Sequence, residues 1–450
     1  MLAARLLPSV PTPRNLQRNR KLRYKAMIDI RLLRANPEIY VQAAKAKNFK
    51  VDIDALLEVD GKLLAAKREL QEIRTAQNQA GKNIAKLTGD QKRAAIAEVS
   101  DLKSRTQQLE ERIADLEPRY DDLMMLVPQP PAPEVPLGND DGDNVVLRTV
   151  GEVRKFDFDP KDHIELGNAL DIIDVDRAVK LAGSRNFILK GAGAMMHQAV
   201  LRLALDSMIA NGYQMLTVPV LVRESAMYGT GYFPHGRDEA YLCERDGMSL
   251  VGTSEVPVTA YHSNEILQET DLPKKYVCAS TCFRREAGAA GKDTYGLYRI
   301  HCFDKVEQVI IGPNDEAASI EFHKEILENS EQIMQALGLP YRVVDCCTGD
   351  LGPGNVQRFD IETWMPSRGG YGETHSASRY YDFQARRLNL RYRDAEGKTH
   401  FCHTLNNTVI ASPRVLIAIL ELYQNADGSV TVPKALRPHM GGMERIEPQP

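Results

Sequence analysis

The residue types best suited to chemistry lie close together between Thr281 and Glu307. Lys274 to Cys282 alternates and carries β-branched residues, as a strand does, and leads into Arg284 and Glu286. Tyr298 to Ile311 reads as the returning strand and ends in Val309-Ile310-Ile311. The intervening Ala287 to Tyr295 contains Gly288 and Gly291, as a hairpin loop would. Side chains on a strand repeat every second residue, so Arg284 and Glu286 are predicted to share one face. Arg299, Phe303 and Glu307 are predicted to share a face of the partner. Brought together, these groups offer guanidinium ions for phosphates, a ring for a base and carboxylates for an amine. A nucleotide and a small zwitterion could bind there side by side. A surface hairpin laced with ion pairs would use the same residue types.

Such a hairpin needs a body to hold it, and 450 residues can supply two or three domains with a sizeable core. The chain is 43% hydrophobic and 26% charged, an ordinary globular composition. Its formal net charge of −4 carries no whole-chain signature of nucleic-acid binding, although a local basic patch can act within an acidic molecule. A run of about eighteen apolar residues is missing, which argues against a membrane-spanning helix and for no membrane partner. The 7 cysteines are scattered and odd in number, which fits reduced thiols in a cytosolic setting. They form no paired CxxC clusters, so no structural zinc is expected.

Residues 1–27 hold seven Arg or Lys, no acid and three prolines, and are predicted to be a disordered basic extension. A transit peptide and an upstream start codon ahead of Met27 fit equally well, so organellar import stays open beside a cytoplasmic location. Ile28 to Lys50 reads as a small helical cap. Heptad spacing then runs through Leu56, Val59, Leu63, Ala66, Leu70 and Ile73, with Gln77 as a polar break. After a turn at Thr88-Gly89-Asp90 it resumes at Ala95, Val99, Leu102, Leu109, Ile113, Leu116, Tyr120 and Leu123, with Thr106 as the second break. Two such runs across a short turn predict an antiparallel coiled-coil hairpin over about 52–127, within an arm of 28–127. A Pro-rich linker is expected over 128–145, and a catalytic body over 146–450.

Within the body, Gly191 to Ala210 reads as an apolar helix followed by a strand near Pro219. Thr253-Ser254-Glu255 reads as the close of a strand. Glu316 to Leu337 reads as an amphipathic helix, and Arg414 to Tyr423 as an apolar one. Hairpins plus separate helices predict an α+β fold with a mainly antiparallel sheet. Gly288 to Asp293 is too short for a phosphate-binding P-loop and lacks its Ser or Thr, and Gly191-Ala-Gly193 lacks a third glycine in register.

Several ordered segments together resemble the class II aminoacyl-tRNA synthetases, and among them the seryl-tRNA synthetases. They are the helix and strand ending at Pro219, Phe283-Arg284-Arg285-Glu286 with Phe303, and Arg414 opening the last helix. Thr253-Ser254-Glu255-Val256-Pro257, Phe303-Asp304-Lys305-Val306-Glu307, Tyr381 to Arg387 and Leu436 to Gly442 point to serine. Ser254 and the segments Asn406-Asn407-Thr408 and Ala411-Ser412-Pro413 depart from the more usual forms. The resemblance covers roughly residues 28 to 446.

It implies a class II synthetase-like antiparallel sheet flanked by helices, with the N-terminal hairpin as a tRNA-binding arm. Arg284 and Arg414 would be the catalytic cations, with Arg284 on the ATP α-phosphate. Glu286 would read the adenine amino group, and Phe303 and Arg414 would stack on its two faces. Arg285, Arg299, Thr374 and His375 complete the implied ATP site, and Glu373 and Ser376 would hold Mg²⁺. Thr253, Ser254, Glu255 and Glu307 would surround serine, with Thr408 near its hydroxyl. The implied partners are tRNA(Ser), with tRNA(Sec) open as a second acceptor, and a second copy in a homodimer. Two rivals are a ligase of this fold that charges a carrier protein, and a non-catalytic tRNA-binding adaptor.

Overall fold

A computed structural model describes residues 28–84, 87–287 and 295–448. The expected basic extension, the middle of the loop after Glu286 and part of the hairpin tip lie outside the described residues.

Short helices α1 (Ile30–Ala35) and α2 (Pro37–Ala46) open the chain, the first capped by the Asp29 carboxylate and the second started by Pro37. Two long helices follow, α3 (Ile53–Ile84) and α4 (Gly89–Leu126). The expected heptad residues meet between them. Val59, Leu63 and Leu116 form one layer, and Ala66, Leu70, Ile73 and Leu109 the next. Thr88 caps α4, so Gly89 and Asp90 lie in its first turn instead of in the loop. At 1.5 Å per residue α3, with 32 residues, is about 48 Å long and α4, with 38 residues, about 57 Å. Its root packs on the body through Leu33, Tyr40, Leu56, Met124 and Phe383. Residues 128–145 run along the body: Gln129 N donates to Pro353 O at 2.8 Å and Ala132 N to Val356 O at 2.8 Å.

The body is built on an eight-stranded sheet. In chain order its strands are β1 (Val145–Val150), β2 (Gln214–Leu216), β3 (Lys274–Phe283), β4 (Cys302–Gly312), β5 (Tyr341–Asp345), β6 (Gln357–Met365), β7 (Gly370–Arg379) and β8 (His403–Ser412). Across the sheet the order is β1-β5-β6-β7-β8-β4-β3-β2, antiparallel throughout except for the β2–β3 pair. The helices of the body are α5 (His163–Ala169), α6 (Val175–Ala182), α7 (Gly191–Ala210), α8 (Glu224–Gly229), α9 (Glu255–Ala260), α10 (Glu316–Ala336), α11 (Phe383–Leu388) and α12 (Arg414–Leu422). The fold is therefore α+β, as the sequence predicts. Val306, Ile310, Leu405 and Ala377 pack with the buried faces of α7, α10 and α12 in the main core. No described helix is long and apolar enough to cross a membrane.

Two local expectations change. The returning strand begins at Cys302, and the described residues from Tyr295 to His301 form turns. Thr253 and Ser254 lie in a loop after the short strand Met248–Leu250, and Glu255 opens α9 instead of closing a strand.

Candidate active site

Period-two alternation along β4 separates site from core. Val306 and Ile310 enter the helix-covered core, and the Gln308 amide donates to Ile326 O of α10 at 2.9 Å. On the other face come Phe303, Lys305 and Glu307, continued by Val309 and Ile311 in a second apolar cluster with Cys278 and Leu390. One face of the strand is cavity wall and the other is core.

The neighbouring strands break their alternation where they meet this wall. Between β6 and β7 the register passes from Ile361↔His375 to Glu362↔Glu373, which leaves Thr374 as a bulge. Between β4 and β8 it passes from Val306↔Ile410 to Glu307↔Thr408, which leaves Val409 as another. Each bulge puts residues three apart on the same face, so Glu373 and Ser376 both line the cavity, as do Thr408 and Ala411. His375 is thereby turned into the interior, 1% exposed, with Nδ1 2.8 Å from Thr374 Oγ1. Burial lowers its imidazole pKa to about 4.

Two cavities adjoin on this face. The wall of the first includes Arg284, Glu286, Tyr298, Phe303, Glu373 and Arg414. The second is walled by Thr253, Glu255, Glu307, Tyr380 and the Gly352–Asn355 loop. Arg284, Lys305 and Ser376 belong to both.

The cations are placed by specific contacts. The Arg284 guanidinium stands 5.2 Å from the Phe303 ring centroid, and its backbone N–H donates to His301 O at 2.9 Å. Its Nε is buried with no protein acceptor among the described residues, a donor left for an anion. Arg414 lies 4.3 Å over the Tyr298 ring, with Nη1 donating to Glu373 O at 2.8 Å. Arg299 pairs with Glu286 at 3.1 Å, and Arg185 donates to Glu286 O at 2.8 Å. Glu286 adopts φ +50°, so it leaves the strand geometry and turns into the cavity without alternating with Arg284.

Deeper in, Lys305 ion-pairs with Glu307, and Thr408 Oγ1 lies 3.3 Å from both Lys305 Nζ and Glu307 Oε2. Gln384 Nε2 donates to Glu255 at 2.6 Å, while its own carbonyl accepts from Thr404 at 2.7 Å. Burial, and then the neighbouring Glu307, push the Glu255 carboxyl up to about 7. Burial would also raise Glu373, but Arg414, Arg358, Arg284 and Arg299 outweigh it and hold that carboxyl below its ordinary value. The side chain of Glu373 remains 49% accessible at the cavity wall, so solvent and the arginine field set its charge together.

The structure thus gathers Arg284, Glu286, Phe303, Glu373, Thr374, Ser376, Thr408 and Arg414 around one cavity, and Thr253, Glu255 and Glu307 around the next. It sets others apart. Arg285 is exposed and bonds Asp238 O at 3.1 Å, Ser254 is fully buried behind the wall, and Arg299 acts through Glu286. Lys305, Tyr298 and Gln384 were missed as single residues. Lys305 was legible, since it lies midway between Phe303 and Glu307 on the same alternating face. Cys346, Asp350 and Asp360 also gather ligand-type atoms, but the Arg358 guanidinium already bonds all three.

The family model described as tRNA synthetase class II core domain (G, H, P, S and T) matches residues 241–423, and that of the seryl-tRNA synthetase N-terminal domain matches residues 27–131. A serine–tRNA ligase of Deinococcus radiodurans is 42% identical over 418 residues, 93% of this chain and 98% of its own length. The crystal structure of seryl-tRNA synthetase from Pyrococcus horikoshii complexed with ATP superposes with a TM-score of 0.88 at 35% identity, over 94% of this chain and 100% of that one. The cytoplasmic serine–tRNA ligase of Naegleria fowleri in complex with AMP gives 0.81 at 30% identity, over 92% and 96%.

Proposed function

The chain belongs to the seryl-tRNA synthetases and is a class II serine–tRNA ligase, and from that premise we propose how its two cavities divide the work. ATP occupies the first cavity and serine the second, and the reacting atoms meet at Arg284, Lys305 and Ser376. The observation that carries this reading is the sharing of those three residues by both cavities.

The serine carboxylate attacks the α-phosphorus in line, forming the acyl–phosphate bond as the bond to pyrophosphate breaks. A terminal ribose hydroxyl of tRNA then attacks the acyl carbon and AMP leaves. Neither step needs a protein nucleophile. Arg284 directs its unpartnered Nε–H to the α-phosphate, and Arg414 releases Tyr298 to stack on adenine opposite Phe303. Glu286 accepts from the adenine amino group while Arg299 steadies it. Glu255 and Glu307 with Thr253 receive the serine ammonium, and Thr408 lies within reach of the polar end of the amino acid. Glu373 and Ser376 offer hard oxygen donors of the kind Mg²⁺ takes, and would hold it. When bound, that ion neutralises phosphate charge.

The arm supplies the acceptor: tRNA(Ser), with tRNA(Sec) as a second substrate to be tested in the same assay. Its presence disfavours a carrier-protein acceptor, and the full set of charged side chains in the cavities disfavours a non-catalytic adaptor. A homodimer is supported by β2, which ends the sheet with an open edge, and by Ile209 and Met215 beside it at 47% exposure each. We place the protein in the cytoplasm.

Serine-dependent ATP–pyrophosphate exchange followed by charging of purified tRNA tests the reading. Arg284→Ala should remain folded and lose exchange by at least the ~10²–10³-fold seen when one preorganised donor is removed. Wild-type exchange in that variant would overturn the assignment.

A further inference from the structure

Lys47, at the C-terminal end of α2, is only 2% exposed although it belongs to the arm-bearing region. It reaches across to the body, where Nζ donates to Gly352 O at 3.2 Å and to Asn355 O. The next carbonyl in that loop, Pro353 O, accepts from Gln129 N at 2.8 Å. Gly352 to Asn355 form one wall of the second cavity. Two more wall residues are backed in the same way: the Phe49 ring lies 4.8 Å from His235, and Phe383 is packed with Leu33, Tyr40 and Leu56. Gly354 lies against Phe383 so closely that an added Cβ would come within 2.5 Å of the ring.

We propose that Lys47 is a positioning residue for amino-acid recognition, holding the 352–355 wall of the second cavity in shape from the arm-bearing region. The placement is costly for an amine. Among the described residues no carboxylate pairs with Lys47, and burial pushes its pKa down to about 7. A simple interdomain contact could be made by an apolar side chain of similar length. Gly352 O and Asn355 O both accept from the single Nζ, and only a side chain with more than one donor hydrogen at its tip can serve the two carbonyls together. The arm-bearing region thereby completes the amino-acid site as well as presenting tRNA.

The inference rests on reading the second cavity as the serine site. The test is serine-dependent ATP–pyrophosphate exchange by the full-length protein without tRNA. Lys47→Met keeps the apolar stem and removes the donor. Its serine KM should rise at least fivefold, while kcat and the KM for ATP stay within twofold. An unchanged serine KM, or equal rises for both substrates, would overturn the inference. If Lys47→Met does not fold, Phe49→Leu should shift serine KM in the same selective way through His235, and no shift there would overturn it. Wild-type protein without serine-dependent exchange would defeat the functional reading itself, a result visible before any variant is made.

Discussion

Gln77 Nε2 donates to Thr106 Oγ1 at 3.0 Å across the helical hairpin. These are the two polar interruptions of an otherwise apolar seam, and they face each other. Thr106 Oγ1 also donates to Leu102 O at 2.8 Å, so the pair is satisfied locally and across the coil. One partly buried polar pair in a seam favours the register in which its two groups face each other, because a shifted register would leave both without this partner.

A double-mutant cycle with Gln77→Leu and Thr106→Val should therefore show a coupling of about 0.5–1.5 kcal/mol. Hydrogen exchange of the arm amides in the full-length protein reads it. Additive effects would mean that the contact does not contribute to stability.

Replacing residues 67–112 with a short turn removes the outer coil but keeps the Val59, Leu63 and Leu116 layer and the root contacts. Pyrophosphate exchange and serine KM should stay within twofold of wild type, while tRNA charging falls by two orders of magnitude or more. Lost exchange would show that the arm supports the body beyond its root.

The proposed role of Glu255 in receiving the serine ammonium makes serine binding depend on pH. Its carboxyl titrates near 7 in the free protein, pushed up by burial and then by Glu307, and the serine ammonium requires the ionised form. The kcat/KM for serine should rise with pH to a plateau, with an apparent pKa of about 7. The stability effect has the opposite sign. A folded pKa above the ordinary 4.5 gives a contribution fully present below 4.5 and lost as pH rises through 7. Glu255→Gln should flatten both profiles, and a pH-independent wild type would contradict the assignment.

His163 and Glu421 tie three segments around the first cavity, where ATP is proposed to bind. His163 Nδ1 lies 2.7 Å from Glu421 Oε1, the other carboxylate oxygen accepts from Ser367 N at 2.9 Å, and His163 Nε2 accepts from Leu297 N at 3.2 Å. Those backbones carry Tyr298 and Arg368, the two partners stacked at 4.1 Å, and Glu421 sits in the helix that Arg414 begins. Glu421→Ala should cost about 1–3 kcal/mol of stability for the buried donors it leaves without an acceptor. Thermal unfolding and the KM for ATP read the effect, and the ATP KM should rise more than that for serine.

The sequence by itself determined the long coil, the α+β body and the strand carrying Phe303 and Glu307. These follow from periodicity, which is a local property: heptads bury one helix face, and alternation separates the two faces of a strand. The family resemblance named charged residues expected around a nucleotide site. Tertiary structure decided which of them reach it. Glu373 and Ser376 are three apart and would face opposite ways on a regular strand, yet both line the cavity, because a single bulge at Thr374 resets the alternation of β7. Glu286 enters the cavity through a left-handed backbone, and Lys47 reaches a loop 305 residues away. Periodicity cannot encode where alternation will break or which distant carbonyls will need a donor. Those outcomes depend on how neighbouring strands and domains pack.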